Sequence, residues 1–191
     1  PLWVDGTWGT ALADAAQTDF RVLARHQGSL WGATATGRVW SYDGAVWGLS
    51  TNLGQPVLAL ESFGGKLYAG LNANGQVHSY NGVSWSLEAS FGAVAVRALK
   101  SYGGRLYAGD GAGRVWGYEP TKSEWFLSFQ STSAVVESLA VYDGRLFAGA
   151  NPNVYVFNGS TWTAAFAVGA AVNAMAAYDG KLYAATNNSG I

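Results

Sequence analysis

Short runs of alternating apolar and polar residues, separated by turns that contain glycine, asparagine or aspartate, make up almost the whole chain. Outside residues 10–18, no segment keeps the apolar period of an amphipathic helix over a typical window. Alternation over four to seven residues between turn signals is typical of half-buried β-strands. The pattern therefore predicts an all-β protein.

The strand pattern repeats along the chain. The string SLWGA at Ser29 returns as KLYAG, RLYAG, RLFAG and KLYAA, and the leucines of these strings are 37, 39, 40 and 36 residues apart. These leucines are Leu30, Leu67, Leu106, Leu146 and Leu182. A fixed period of about 40 residues indicates a repeat architecture in which each repeat is one supersecondary unit.

A second landmark follows each of the first four strings. An aromatic residue precedes a tryptophan by 5, 5, 7 and 5 residues, in the pairs Tyr42/Trp47, Tyr80/Trp85, Tyr118/Trp125 and Phe157/Trp162. Three of the intervening turns contain Asp-Gly or Asn-Gly, the strongest short signal for a β-hairpin. Four short strands in each repeat are typical of a β-propeller blade.

The fifth repeat is divided between the two ends of the chain. Its first landmark is at Leu182, and its second is the segment PLWVDGTW, in which Trp3 and Trp8 are again five residues apart. Joining Ile191 to Pro1 restores the period, so the sequence predicts a five-bladed β-propeller of four-stranded antiparallel blades, closed by strands from both termini. The predicted blades are 19–51, 56–90, 95–130, 135–168 and, for the fifth, 172–191 with 1–12.

The same landmarks resemble those of kelch repeats, in which an Asp or Gly turn leads to a Leu-Tyr strand, then to a Tyr-Asp turn and a tryptophan. VYDGRLFAG at Val141 and RVWSYDGAVW at Arg38 carry this resemblance, which extends over the whole chain. In ring size the predicted protein is similar to the five-bladed tachylectin-like lectins. Because propellers support many functions, the function has to be argued from sites.

Composition excludes several classes of protein. The chain has no cysteine, so it has neither a disulfide framework nor a thiolate metal site. Its net charge is −1, which gives no electrostatic basis for binding nucleic acid. No apolar run approaches the roughly 20 residues of a membrane helix, so membrane insertion is not expected. The chain begins at Pro1 without a methionine, which suggests a processed form or an excerpt, and an extracellular or surface-associated location is favoured.

Catalytic signals are absent from the sequence. The two histidines, His26 and His78, have no acidic residue or cysteine at metal-ligand spacing, and no nucleophile, zinc or phosphate-loop motif occurs. The inner strands carry only Glu61 and Glu137, at non-equivalent positions, whereas glycosidases need a carboxyl pair within about 10 Å. We therefore expect a non-enzymatic protein without cofactor or metal.

Most repeated aromatic residues are expected to be structural. The tryptophan of each second landmark recurs at one register, so Trp8, Trp47, Trp85, Trp125 and Trp162 are predicted to pack between neighbouring blades. Trp40 and Trp116 share a third-strand position that is His78 in another blade. This variation predicts partial exposure and stacking on sugar rings, with amphipathic edge packing as the alternative.

Candidate ligand-binding residues also lie in the loops that join the second and third strands. These loops are short, polar and rich in asparagine, whose amide both donates and accepts hydrogen bonds. The candidates are Asn72, Asn74, Asp110, Asn151, Asn153 and Asn187, together with Trp40 and Trp116. The alternative is simple turn chemistry, because Asn and Gly tolerate positive φ angles.

A further set occupies one position of the first strand in each blade. It contains Arg21, Leu58, Arg97, Glu137 and Asn173. Core positions of a repeat protein converge on one residue type, so this divergence predicts that the polar members surround the mouth of a channel. The function we expect is carbohydrate binding through the loop face. The alternative is a protein-interaction or structural module of a larger secreted or particle-associated assembly, and the partner is accordingly a glycan or a protein.

Overall fold

The computed structural model of the protein describes residues 2–4, 7–9, 19–132 and 135–187. All regular secondary structure in these ranges is β-strand, so the all-β prediction is confirmed. Strands β1 (Leu2–Val4) and β2 (Thr7–Gly9) form an N-terminal hairpin. The described part of the chain contains no helix with the length and apolarity needed to cross a membrane.

The central part of the chain forms four antiparallel sheets of four strands each, in chain order, which are named blades 1 to 4. Blade 1 contains β3 (Phe20–His26), β4 (Ser29–Thr34), β5 (Arg38–Tyr42) and β6 (Trp47–Asn52). Blade 2 contains β7 (Val57–Phe63), β8 (Lys66–Leu71), β9 (Gln76–Tyr80) and β10 (Trp85–Ser90). Blade 3 contains β11 (Val96–Tyr102), β12 (Arg105–Asp110), β13 (Arg114–Glu119) and β14 (Glu124–Gln130). Blade 4 contains β15 (Val136–Tyr142), β16 (Arg145–Ala150), β17 (Asn153–Phe157) and β18 (Trp162–Ala167).

Strands β19 (Val172–Tyr178) and β20 (Lys181–Thr186) form a C-terminal hairpin. Among the described residues, neither terminal hairpin pairs with a further strand. Pro1 and Ile191, where the sequence predicts that the ring joins, lie outside the described residues. The described strands therefore establish the blades and do not establish the closure of a ring.

In blades 1, 2 and 4, the turn between the third and fourth strands is stabilised by the Asp or Asn that begins it. Oδ1 of Asp43 accepts hydrogen bonds from two backbone N–H groups of the turn, at 2.8 and 2.9 Å. These bonds favour the charged carboxylate and so lower the pKa of Asp43. Asn81 and Asn158 accept equivalent bonds in blades 2 and 4. Gly44 lies at φ +107°, a conformation that favours glycine, so the predicted hairpin chemistry is confirmed.

The hydrophobic core lies between consecutive blades. The first strands are neighbours in the order β3, β7, β11, β15 and β19. Because successive side chains of a strand point to opposite faces, each blade presents one apolar face to the blade before it and another to the blade after it. Between blades 2 and 3, Ala59 and Tyr68 pack with Leu99 and Leu106. Four-stranded blades packed side by side in this way form a β-propeller-like architecture.

The tryptophan that begins the fourth strand connects its blade to the preceding one. Nε1 of Trp85 donates a hydrogen bond to Oγ of Ser50 in blade 1 at 3.0 Å, and the Trp85 ring packs against Trp31 of the same blade. Trp162 makes the same bond to Ser128 of blade 3, also at 3.0 Å. The predicted packing between blades is therefore confirmed for Trp85 and Trp162.

A β-bulge in the fourth strand places each serine acceptor. The register of β5 and β6 shifts so that Ser50 has no cross-strand partner, and the register of β13 and β14 leaves out Ser128 in the same way. A bulge turns the extra residue away from the regular alternation of the strand. The bulge thus directs the serine hydroxyl to the tryptophan of the next blade.

Replacing Trp85 with alanine tests this packing. We expect Trp85→Ala to lower the free energy of unfolding by about 3 to 5 kcal/mol, because a large ring between two blades is lost. Leu87→Ala is the matched control on the same strand: Leu87 is 55% exposed, so the loss should be about 0.5 kcal/mol or less. Denaturant unfolding measures both. A loss below about 1 kcal/mol for Trp85→Ala would place the ring on the surface instead.

Candidate functional site

A β-bulge also interrupts the beginning of the first strand in each blade and in the C-terminal hairpin. In each case the second residue of the strand is left without a cross-strand partner. The unpaired residues are Arg21, Leu58, Arg97, Glu137 and Asn173. The sequence predicts the polar members of this set, Arg21, Arg97, Glu137 and Asn173, around the mouth of a channel, and that location stays a prediction. The bulge explains the divergence of the set, because the extra residue is released from the packing that fixes its neighbours.

A depression of about 360 Å³ lies at the boundary between blades 2 and 3. It is lined by residues 72–74 of the β8–β9 loop, residues 93–95 of the segment that joins the two blades, Arg97 and Gly111. The depression brings together three residues predicted from the sequence, since Asn72 and Asn74 come from the loop set and Arg97 from the bulge set. It is our candidate functional site.

Backbone hydrogen bonds hold the β8–β9 loop against the joining segment. The Gly75 N–H donates to the Val94 carbonyl at 2.7 Å, and the Phe91 N–H donates to the Gly75 carbonyl at 3.1 Å. A Cβ atom at Gly75 would lie 2.7 Å from the Phe91 nitrogen, so this close approach requires glycine. Asn74 adopts φ +60°, a left-handed conformation that asparagine tolerates. The loop therefore has a defined path, and both Asn72 and Asn74 are exposed.

Arg97 connects the depression to blade 4. Its Nη1 lies 3.2 Å from Oε2 of Glu137, and the two side chains are 38% and 25% exposed. Nε of Arg97 is buried and has no hydrogen-bond partner among the described residues. The ion pair with Glu137 therefore involves only one of the guanidinium nitrogens, Nη1.

Asp110 corrects one sequence-based expectation. It is the last residue of β12 and is fully buried, whereas an exposed loop residue was expected. Its carboxylate accepts hydrogen bonds from Nε of Arg114 at 2.7 Å and from Nε1 of Trp116 at 2.9 Å, besides two backbone N–H groups. These contacts make Asp110 the residue that stabilises the β12–β13 loop from inside.

Of the two third-strand aromatics, Trp40 is less exposed than the sequence predicts, and Trp116 is partly exposed as predicted. Trp40 is 8% exposed, so its expected exposure is wrong. Trp116 is half-buried and stacks on Phe91, with ring centroids 4.5 Å apart and planes 4° apart. Trp40 lies on β5, which pairs with β4 on one side and β6 on the other, so its side chain has neighbours on both sides.

The remaining candidate residues lie away from the depression. Asn151, Asn173 and Asn187 are exposed, in blade 4 and the C-terminal hairpin. Asn153 begins β17, and its Nδ2 donates to the Tyr155 hydroxyl at 3.3 Å. Ligand binding by Asn151, Asn153 and Asn187, and the channel-mouth location of Asn173, stay predictions.

Neither histidine lines the depression. Burial lowers the pKa of both His26 and His78, because it disfavours the charged imidazolium. Nδ1 of His26 lies 2.8 Å from Oγ of Ser62, in the contact between blades 1 and 2. Within the described ranges, no group of three or more His, Asp or Glu side chains is arranged to hold a metal ion.

Sequence reasoning missed the part of the site that the joining segment supplies. Residues 93–95 and Gly111 carry no polar side chain, so no motif marks them. The available signal is loop length, because residues 72–75 make the β8–β9 loop one residue longer than its counterpart in blade 3, residues 111–113. That extra residue helps to form the wall of the depression.

Comparison with known proteins supports the fold alone. No family model matches the chain, and no curated protein sequence is similar to it. The extracellular domain of a B. thetaiotaomicron protein, described as a one-component system, has a TM-score of 0.75 and 14% identity over 88% of this chain. The present chain spans about a quarter of that protein, with 26% covered.

Two computationally designed proteins are also similar in structure. Ika8 has a TM-score of 0.70 and 15% identity, with 87% of this chain and 55% of Ika8 covered. Ika4 has a TM-score of 0.63 and 17% identity, with 79% of this chain and 98% of Ika4 covered. At such low identities the likeness extends to the all-β architecture and not to the candidate site.

A substitution at Asp110 separates a structural role from a ligand-binding role. We expect Asp110→Ala to lower the free energy of unfolding by about 3 to 5 kcal/mol, because Arg114 and the Trp116 ring N–H lose a buried partner. Asn151→Ala, at an exposed loop position of blade 4, is the control and should change stability by about 0.5 kcal/mol or less. Denaturant unfolding of both variants is the measurement. Equal stability of Asp110→Ala and the parent would contradict the structural role.

Proposed function

We propose that the protein is a non-enzymatic carbohydrate-binding module, lectin-like in its mode of binding, and that the depression between blades 2 and 3 is its glycan site. The observation that supports this proposal best is the convergence of two exposed amides, Asn72 and Asn74, with Arg97 around one depression. The two amides lie on a loop of blade 2 that is held by backbone hydrogen bonds, and Arg97 lies on β11 of blade 3.

The chemistry of the depression suits a sugar. Sugar hydroxyls both donate and accept hydrogen bonds, and an asparagine amide offers both functions. A sugar also has an apolar C–H face, which can lie against the small side chains of residues 93–95. The volume of about 360 Å³ falls in the range of roughly 300 to 1,000 Å³ that is common for small-molecule sites.

Glycan-array binding of the parent protein, over neutral and acidic glycans, tests this function. Bound glycans are then titrated by calorimetry against Asn72→Ala and Asn74→Gly, each of which should weaken binding at least tenfold by removing an amide hydrogen-bond partner. Glycine is chosen at position 74 because it accepts the positive φ of Asn74 without strain. Ser160→Ala, at an exposed position of the β17–β18 turn in blade 4, is the control and should bind as the parent does.

A protein-interaction module is the second candidate function. The outer strands of blades 1 to 3 expose a leucine two residues after the tryptophan, and Leu49, Leu87 and Leu127 are each at least half exposed. Apolar side chains exposed at one recurring position favour contact with another protein. Absence of binding to every glycan on the array would remove the carbohydrate proposal and favour this one.

We also propose that the two terminal hairpins form one blade and close a five-bladed ring with kelch-like repeats. β1 pairs with β2 in the register Trp3↔Trp8, which matches Tyr42↔Trp47 between the third and fourth strands of blade 1. β19 and β20 pair as the first and second strands of a blade do, with the same bulge at their beginning. The C-terminal hairpin thus resembles the first two strands of a blade, and the N-terminal hairpin resembles the last two.

The unmatched apolar faces at the two ends of the blade series support this closure. Leu23 and Leu30 in blade 1 are 58% and 38% exposed, whereas their counterparts Leu60 and Leu67 in blade 2 are buried against the preceding blade. At the other end, Tyr183 of β20 is 40% exposed, although Tyr68 at the same position is buried. A fifth blade packed on blade 1 would bury both faces.

A recurring hydrogen bond adds a specific expectation. The hydroxyl of Tyr102 donates to the Gly144 carbonyl of the next blade at 2.9 Å, and Tyr142 donates to Gly180 in the same way. Tyr178 occupies the same position of β19. In a closed ring its hydroxyl would donate to the carbonyl of Gly28 in blade 1.

An engineered disulfide tests the closure. Pairing β20 with β1 in the register of the other blades places Tyr183 opposite Leu2, as Tyr107 lies opposite Gly117. Directly opposed residues of antiparallel strands have Cα atoms about 4.5 to 5.5 Å apart, within the range that a disulfide spans. Because the chain has no cysteine, oxidation of Leu2→Cys/Tyr183→Cys should give one intramolecular bond.

The control is Leu2→Cys/Leu49→Cys, which carries its second thiol on the outer strand of blade 1 and should not cross-link. Non-reducing electrophoresis and peptide mapping identify the products. A Leu2→Cys/Tyr183→Cys protein that stays reduced, or that links only between molecules, would contradict an intramolecular fifth blade.

A further inference from the structure

We infer that the glycan site between blades 2 and 3 selects an acidic sugar, whose carboxylate binds Arg97 in competition with Glu137. This inference rests on the proposed carbohydrate-binding function and names its ligand class. It comes from the charge of the depression and from the arrangement of one ion pair at its edge.

The charge inside the depression is positive. Of the described residues that line it, Arg97 is the one with a charged side chain, while the other lining side chains are amides, small apolar groups or the hydrogen of Gly111. Glu137, which balances this charge, is not among the lining residues. A ligand in the depression therefore meets Arg97 and two amides, whereas Glu137 belongs to blade 4 and does not line the depression.

The ion pair leaves Arg97 able to bind a second carboxylate. A guanidinium has five N–H donors in a planar fork, and the contact to Glu137 joins only Nη1 to Oε2. Both partners are partly exposed, at 38% and 25%. Ion pairs in such positions are weak, so a ligand carboxylate can share or displace the internal one.

The bulge makes this position variable. The counterparts of Arg97 in blades 2 and 4 are Leu58 and Glu137, and in the C-terminal hairpin Asn173. These residues share one geometry and differ in charge, since the bulge frees the side chain from core packing. The residue at the bulge thus determines which charge a ligand meets, and at the boundary between blades 2 and 3 that charge is positive.

Calorimetry with two matched sugar pairs tests the inference. The pairs are galacturonate with galactose and glucuronate with glucose, which differ in the carboxylate at C6. We expect one uronate to bind about tenfold more tightly than its neutral partner, as charged hydrogen bonds are stronger than neutral ones. Raising the NaCl concentration from 50 to 500 mM should reduce this preference several-fold, because salt screens exposed charges.

Two variants that break the same ion pair should act in opposite directions. Arg97→Gln removes the cation and should abolish the preference for the uronate. Glu137→Gln removes the internal competitor and should strengthen uronate binding several-fold, with little change for the neutral sugar. If the ion pair served only to hold the blades together, both variants would change binding in the same direction. Thermal unfolding of each variant verifies that it is folded.

Each result decides between the two proposals. Equal binding of the neutral and acidic sugars, or weaker uronate binding by Glu137→Gln, would overturn the acidic-sugar inference and leave the glycan site in place. Acetate that competes as well as the uronate would also overturn it, because the site would then recognise a carboxylate without a sugar. If neither the sugar pairs nor the array glycans bind, the proposed function fails as well.

Discussion

Every blade of this protein has two apolar faces and needs a neighbour on each. A four-stranded sheet of about 35 residues cannot bury both faces by itself, so the stability of one blade depends on the next. Leu67 and Leu106 are fully buried because they pack against the preceding blade, and Tyr68 and Tyr107 pack against the following one. The Leu-Tyr pairs on the second strands of blades 2 and 3 therefore supply one apolar side chain to each face of the blade.

The same requirement explains why much of the fold can be predicted from the sequence. The strings around Leu30, Leu67 and Leu106 repeat because equivalent positions face equivalent neighbours in the adjacent blades. The Asp-Gly and Asn-Gly turns are local, and Asp43 makes in the structure the backbone contacts that its type and position suggest. Strands and turns thus follow from local chemistry and period. Closure of the ring depends instead on contacts between the two chain ends. The repeat pattern predicts these contacts, and the two terminal hairpins are separate sheets among the described strands.

The candidate residues were harder to predict because the burial of each one depends on neighbours that carry no motif. Aspartate is common in loops, yet the carboxylate of Asp110 is buried, where it accepts hydrogen bonds from Arg114 and Trp116. The position of Trp40 varies in residue type among the blades, as an exposed position would, yet Trp40 is buried on a strand that has a neighbour on each side. Asn72 and Asn74 were identified because loop amides are visible in the sequence. The backbone of residues 93–95, which completes the depression, was not.

The positions that escape inter-blade packing are the ones free to acquire a function. At the first-strand bulge the backbone gains a residue that has no cross-strand partner, so its side chain contributes little to the core. Arg97 and Glu137 occupy this position in adjacent blades and meet across the boundary at 3.2 Å. Packing between blades therefore keeps a leucine followed by an aromatic residue on the second strand of blades 1 to 4, whereas the charge at the bulge differs among the blades. Binding specificity in such a protein would arise at the bulges and the adjoining loops, and substitutions there should alter ligand choice at little cost to the stability of the blades.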